Sequence, residues 1–366
     1  MDFDYVYAPV IKGKVNDIKA VSFVAHDFLD RVKPIFELPP FIDTDKPEQV
    51  LARFSKNLSK HYPKRPCYVD FPLLKEGAKT SDGLPVLANA YGQLNTLSIN
   101  FEPVYGFDRD DAQWGLVINQ ARKSGGILLR LTPDDLEFVG DTMDQIQDLT
   151  LRGLDTRIVD VLVDCRSLTS IAQTVAISES ASVMIENLAT SFRLRKVIVT
   201  GSCAPKTVTS IEKNSSGVIL RNELSLWANL RLRNLAMDAV YSDYGVIHPD
   251  FTDLTPSPHI NGKIRYTKGK HLHIFRGHSL SQGDKYEQYR KLSHAVLNSG
   301  LYQGHTYSHG DRYIYDCATG HATTGNAGTW VLNDLNHHFT QAADQIVRLE
   351  TLIYRGYPES AILQAA

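Results

Sequence analysis

One recurring pattern limits what this chain can fold into: short runs rich in Val, Ile, Leu and Tyr that close on a charged or glycine-rich tip, separated by stretches with helical spacing. It is plainest at Val159–Arg166, a strand closed by Asp164 and Arg166, and it returns at Tyr5–Lys14, Val32–Glu37, Cys67–Asp70, Gly126–Arg130, Lys196–Ser202 and Ala239–Tyr244. Strands buried on both faces read as largely apolar runs, and their alternation with helices argues for parallel βα units. The expected fold is α/β: a (β/α)8 TIM-like barrel over residues 1–250, with a C-terminal α+β extension, 251–366, lying over the barrel mouth. A chain of 366 residues has the length for such an arrangement.

In chain order, strands are expected at Val6–Ile11, Pro34–Leu38, Cys67–Phe71, Phe101–Tyr105, Ile127–Leu131, Val159–Arg166, Lys196–Thr200 and Met237–Tyr241. Helical spacing falls at Val15–Val32, Pro47–Tyr62, Leu84–Leu97, Asp110–Ser124, Asp141–Leu154, Ser178–Phe192 (capped by Ser178) and Asn222–Leu232. After Pro249 the pattern changes. Lys263–Tyr266 and His271–Arg276 alternate like a hairpin, Lys285–Ser299 and Asn336–Ile353 read as helices, and Gly304–Gly328 reads as a long ordered loop that covers something.

Charge is nearly balanced, with Lys+Arg at 39, Asp+Glu at 41 and a formal net charge of −2, so any basic site must be local. The opening Met1-Asp2-Phe3-Asp4 is acidic where a secretory signal would be basic, and no run of apolar residues is long enough to span a bilayer. The expectation is a cytoplasmic protein that does not engage a membrane. Cys67, Cys165, Cys203 and Cys317 form no CxxC pair and read as buried free thiols. Trp227 and Trp330 read as packing anchors.

In a parallel barrel every strand delivers its last residues to one face, so groups far apart in sequence meet there. The tips here are charged: Lys12, Glu37, Asp70, Arg130, Asp164 and Asp243. A lone buried charge is costly, so these side chains must pair, bind an ion or hold a polar ligand. The bland alternative is a closed salt-bridge network, with Arg130 on Asp164 and Lys12 on Glu37. Gly201-Ser202, after the seventh strand, stands where such barrels often bind phosphate, although a Gly-Ser turn is common at any bend. Arg265 and Arg276, on the hairpin, offer a bidentate grip on phosphate or carboxylate, whereas its lysines read as a solvated turn.

The histidines concentrated in the last third have no strong zinc-ligand spacing, and neighbours His337-His338 would point about 100° apart on a helix. Glu37, Asp70 and Asp164 could instead hold a divalent cation such as Mg or Mn. Absence of a GxSxG elbow, a P-loop and a GxGxxG turn disfavours a serine hydrolase, a Walker NTPase and a Rossmann dehydrogenase.

Taken together, Tyr7-Ala8-Pro9-Val10-Ile11-Lys12, Pro34-Ile35-Phe36-Glu37, Val69-Asp70, Leu129-Arg130, Val163-Asp164, Gly201-Ser202-Cys203-Ala204-Pro205, Asp243-Tyr244-Gly245, Ile264-Arg265-Tyr266, Phe275-Arg276-Gly277, Gly310-Asp311 and Trp330 followed by Asn336-His337-His338 resemble, in order and spacing, the phage beta protein family. The resemblance covers nearly the whole chain. It implies a setting in phage–host conflict and adds Tyr244, Asp311 and His337 to the strand-tip charges.

Two readings follow. In the first, Lys12, Glu37, Asp70, Asp164 and Asp243 are catalytic, and Arg130, Gly201, Ser202, Tyr244, Arg265, Arg276, Asp311 and His337 bind a phosphate-bearing small molecule or a nucleic-acid end, with phosphodiester hydrolysis as the reaction. In the second the protein is a non-catalytic sensor or partner-binding subunit of a phage-defence or counter-defence system.

Overall fold

The computed structural model describes residues 5–41, 46–251 and 260–365; the acidic opening at 1–4 lies outside them. The strands are β1 (Val10–Lys12), β2 (Ile35–Glu37), β3 (Cys67–Asp70), β4 (Phe101–Gly106), β5 (Ile127–Leu131), β6 (Val159–Ser167), β7 (Lys196–Ser202), β8 (Ser215–Leu220), β9 (Ala239–Tyr241), β10 (Asn261–Lys268) and β11 (His271–Ser279). The helices are α1 (Val15–Ser22), α2 (His26–Leu29), α3 (Pro47–His61), α4 (Val86–Thr96), α5 (Trp114–Ser124), α6 (Pro133–Glu137), α7 (Val139–Leu151), α8 (Ile171–Ser191), α9 (Asn222–Leu232), α10 (Gln288–Leu297), α11 (His309–Thr319), α12 (Ala327–Tyr354) and α13 (Glu359–Ala365).

The main sheet is parallel, curled and ordered β1-β2-β3-β4-β5-β6-β7-β9. Strand side chains alternate between faces, and the two faces pack differently. One carries Val10, Ile35, Tyr68, Val104, Leu128, Leu162 and Ile198, with Val240 beside them, in a core to which no helix contributes. The other carries Ile11, Phe36, Val69, Leu129, Val161, Val163, Val197 and Val199, in a core shared with α1, α3, α5, α8, α9 and α12. At the sheet's ends, Tyr7 makes parallel bridges to both Val32 and Tyr241. The Ala8 N–H donates to the Tyr241 carbonyl (2.9 Å) and the Val10 N–H to that of Asp243 (2.8 Å).

Several elements differ from their sequence expectation. Val15–Val32 is not one helix but α1 and α2, because the backbone turns through Phe23 and Val24. Helix α8 starts at Ile171 and is capped by the Ser170 hydroxyl; Ser178 is buried in its middle. The stretch 304–328 is not a loop: it holds α11 and the first turn of α12, whose start is set by a capping box between Asn326 and Thr329. Strand β8, half-exposed along its length, escaped the pattern although Arg221 follows it directly; it extends the expected hairpin to a three-stranded antiparallel sheet, β10-β11-β8. Helix α12 packs along α1 and β10, and the Asn336 Nδ2 group donates to the Ala20 carbonyl at 2.9 Å. The chain beyond 250 therefore returns to the flank of the main sheet. Both Trp227 and Trp330 are buried, each with its indole N–H on a carbonyl.

Candidate functional site: the strand-end charge cluster

Register decides which charges meet. Lys12, Glu37 and Asp70 are direct partners across β1, β2 and β3, and Gly106 is opposite Arg130 across β4 and β5. The missing side chain at Gly106 matters: a Cβ there would strike the Asp108 carboxylate, which would have to move, and press closely on the Arg130 carbonyl. From the end of β5 the Arg130 guanidinium reaches into a ring of acceptors. Its Nη1 donates to Glu37 Oε1 (2.7 Å) and Asp70 Oδ2 (2.6 Å). Its Nε and Nη2 donate to Asp164 Oδ2 (3.0 and 2.6 Å), and Nη2 also to the Tyr244 hydroxyl (2.7 Å). Five acceptor contacts match the five N–H groups of a guanidinium. The Tyr244 hydroxyl in turn donates a hydrogen bond to Asp164 Oδ2 at 2.6 Å.

Burial alone would raise the pKa of Asp164, but Arg130, Arg166 and the Tyr244 hydroxyl together hold it below the usual carboxylate range. Burial works against the charge on Arg130 as well, and the surrounding Tyr244, Asp164, Glu37 and Asp70 outweigh it, so this guanidinium stays protonated. Glu37 Oε2 and Thr200 Oγ1 are buried with no hydrogen-bond partner among the described residues.

Two further arginines border the cluster. Arg109 reaches Asp70 from beyond β4 (3.3 Å) and is anchored on the Pro72 carbonyl. Arg166, whose left-handed backbone (φ 54°) lets its N–H cap Asp164 Oδ1 at 2.9 Å, lays its side chain over the Tyr244 ring. Above them runs the segment 246–251. Ser202 Oγ donates to the Ile247 carbonyl (3.0 Å), Lys12 Nζ to the Pro249 carbonyl (2.6 Å), and Lys12 also lies 3.7 Å from the Phe251 ring centre. Arg166 and Lys206 both bind Asp250, each at 2.9 Å.

The other expected site residues lie elsewhere. Asp243 accepts from Tyr7 and Tyr241 (2.7 Å each), from the Gly245 N–H (2.9 Å) and from His338 Nε2 (2.9 Å), with Arg221 behind Tyr241. Burial opposes its charge, but His338, Arg221 and Tyr241 prevail and hold its pKa far below the normal range. Asp311 accepts from His337 Nδ1 (2.7 Å), Tyr266 (2.6 Å) and Ser308 (2.5 Å). His337 Nε2 faces the Thr267 carbonyl (2.8 Å), so both of its ring nitrogens point at acceptors. Arg265 pairs with Asp334 at 3.4 Å, and Arg276 is spent on the backbone carbonyls of Val208, Thr209 and Ile211. Gly201 lets β7 pass the Leu168 side chain, which a Cβ would strike. The expectation that Asp311 and His337 join the strand-tip charges is therefore corrected: their partners tie the small sheet and α11 to α12, while Arg276 ties β11 to the segment 208–211.

Sequence reasoning missed Arg109 and Arg221, and took Arg166 only as a charged strand tip. It also missed a second charged layer at the opposite strand ends, where Lys33 and Arg195 bind Glu102 and Asp160, and Tyr68 donates to Asp160. The signal for this layer was present. Asp160 and Asp164 are four apart on one strand and so share a face, as do Lys33 and Glu37.

As for metals, no group of three or more His, Cys, Asp and Glu side chains among the described residues is arranged to hold an ion. The cation between Glu37, Asp70 and Asp164 is the Arg130 guanidinium.

Fold and site thus define an α/β protein with a curled parallel sheet whose strand ends gather a buried carboxylate–arginine cluster. The Beta protein family model matches residues 7–344, and the chain belongs to that family. No curated protein matches its sequence.

Proposed function

We propose that this is a phage-related barrel protein that binds a phosphate-bearing ligand, a nucleotide or a nucleic-acid end, at the C-terminal ends of its parallel strands. The barrel part of this reading is supported by the isolated bridges from Tyr7 to Val32 and to Tyr241 and by the packing of α12 beside α1. One observation carries the reading: three carboxylates from three strands are fixed by a single guanidinium, beneath a rim of Arg109, Arg166, Lys12 and Lys206. The inner charges are oriented by mutual hydrogen bonds, and in this reading Arg166 and Lys206, which share Asp250, turn to the incoming phosphate, the division of labour that phosphoryl chemistry needs. Arg166, about one-third exposed, is the natural phosphate ligand. Glu37, with Oε2 unpartnered, is the candidate general base for phosphodiester hydrolysis. Among the described residues no helix is long and apolar enough to cross a membrane; a cytoplasmic site of action is part of the proposal.

A second reading, a sensor or partner-binding subunit in phage defence or counter-defence, is favoured by a different observation. Every N–H of Arg130 is engaged internally and 246–251 lies across the strand ends, so the cluster holds a fixed arrangement. Native mass spectrometry with elemental analysis of the purified protein, followed by binding and turnover assays with nucleotides and short oligonucleotides, tests both. The hydrolase predicts that Arg166→Met weakens binding and that Glu37→Gln retains binding and loses turnover. The sensor predicts that the wild type binds without turnover. Failure of every phosphate-bearing ligand to bind would overturn the hydrolase and leave the partner-binding subunit as the reading to test by pull-down.

A further inference from the structure

Away from the strand ends, a cleft of about 580 Å³ opens between the β10–β11 turn and the C-terminal half of α12. We propose that it is a binding site for a small amphiphilic organic anion, with the anionic head on Lys268, Gln341 and Arg348 and the apolar body on Leu349 and Leu352. This inference is independent of the function proposed for the strand ends.

The hydrogen bonds fix the polarity of the cleft. A lysine ammonium can only donate, so the 2.8 Å contact from Lys268 Nζ makes Gln303 present its oxygen there. The Gln303 amide nitrogen consequently faces Gln341, and donates to Gln341 Oε1 at 2.7 Å. Gln341 is therefore oriented with its oxygen consumed, and its amide nitrogen has no partner among the described residues, although the residue is 94% buried (6% exposed) and lines the cleft. Lys268 has no acidic partner among the described residues. Arg348 gives Nε and Nη2 to Asp344, and its Nη1 has no partner among the described residues.

Donors are thus in excess, and no carboxylate is among the described residues that line the cleft. An occupant must bring acceptors and negative charge. The walls below the head are aliphatic, with Leu349 buried and Leu352 half-buried. At ~30 Å³ for each water displaced, the space holds a ligand of about twenty heavy atoms, within the usual range of small-molecule pockets.

The test uses the full chain and the fluorescent probe anilinonaphthalene sulfonate, which has an apolar ring body, a sulfonate head and a matching size. Saturable binding of one probe per chain is expected, weakened at least tenfold by Lys268→Met and by Thr351→Trp, which fills the cleft from its exposed edge. Both positions are solvent-exposed, and an unchanged thermal unfolding midpoint for each variant shows that the fold is intact. Arg166→Met, at the strand ends, should leave probe affinity unaltered. Non-saturable binding, affinity indifferent to both cleft variants, or affinity lost in Arg166→Met would each overturn the proposal.

Discussion

Replacing Arg130 with Met removes the one cation that Glu37, Asp70 and Asp164 share, while keeping a side chain of similar length in the space. The residues concerned are almost wholly enclosed, with Arg130 at 3%, Glu37 at 1% and both aspartates at 0% side-chain exposure. Breaking a buried ion pair by deleting one partner costs about 3–5 kcal/mol, since the remaining charge is left uncompensated. Here three carboxylates are left, and Arg109 and Arg166 can compensate only Asp70 and Asp164 from the rim. The expected loss is at least the upper part of that range, so the folding equilibrium falls by roughly a thousandfold at 1.4 kcal/mol per tenfold. Urea unfolding, followed through the buried tryptophans, measures it.

The pH dependence sharpens the test. In the wild type, the depressed pKa of Asp164 contributes stability that is present above the unfolded value and lost as pH falls through the folded one. In the variant, burial without Arg130 favours the protonated form instead. The gap between the two proteins should be widest near neutrality and should narrow as pH falls toward about 4. Adding Asp164→Asn to the variant should recover part of the loss. A deficit below about 1 kcal/mol, the ordinary cost of a surface pair, or one that does not change with pH, would refute the account of the cluster as a mutually dependent buried network.

Other predictions address the rest of the molecule. Asp334 is pushed up to about 7 by burial against the pull of Arg265, so its folded pKa exceeds its unfolded one and stability declines as pH rises between roughly 4 and 7. Asp334→Asn should remove that decline and gain relative to the wild type toward higher pH; parallel urea midpoints across the range would contradict it. Gly310, where a Cβ would collide with the Asn333 carbonyl of α12, should lose about 1–3 kcal/mol on substitution by Ala, read as a lowered thermal midpoint. All four cysteines are free and buried, and burial pushes the Cys67 thiol up to about 12. Ellman's reagent should therefore react with none of them in the native protein and with all four in denaturant; rapid native labelling would place a thiol at the surface.

By itself the sequence determined the order and kind of the main elements. A parallel strand covered on both faces has to be mostly apolar along its length, and its charged residues then accumulate at the ends where they can find partners; this makes Ile127–Leu131 or Lys196–Ser202 recognisable one at a time. The same local reasoning located Arg130 among carboxylates and marked the cysteines as buried. It failed where the deciding interaction was remote. The start of α12 at Ala327 was hidden by Gly325 and Gly328, and β8 became a strand only through pairing with β11. Tertiary structure alone decided which charges share a site. Glu37 and Arg130 meet across 93 residues of chain, and Arg130 and Tyr244 across 114. Arg276 and His337, ligand candidates of equal standing in the sequence, find other partners first: Arg276 the backbone carbonyls of the segment 208–211, His337 the Asp311 carboxylate and the Thr267 carbonyl. Burial reveals that a charged side chain needs a partner, whereas the identity of that partner depends on strand register and helix packing, which no short stretch of sequence contains.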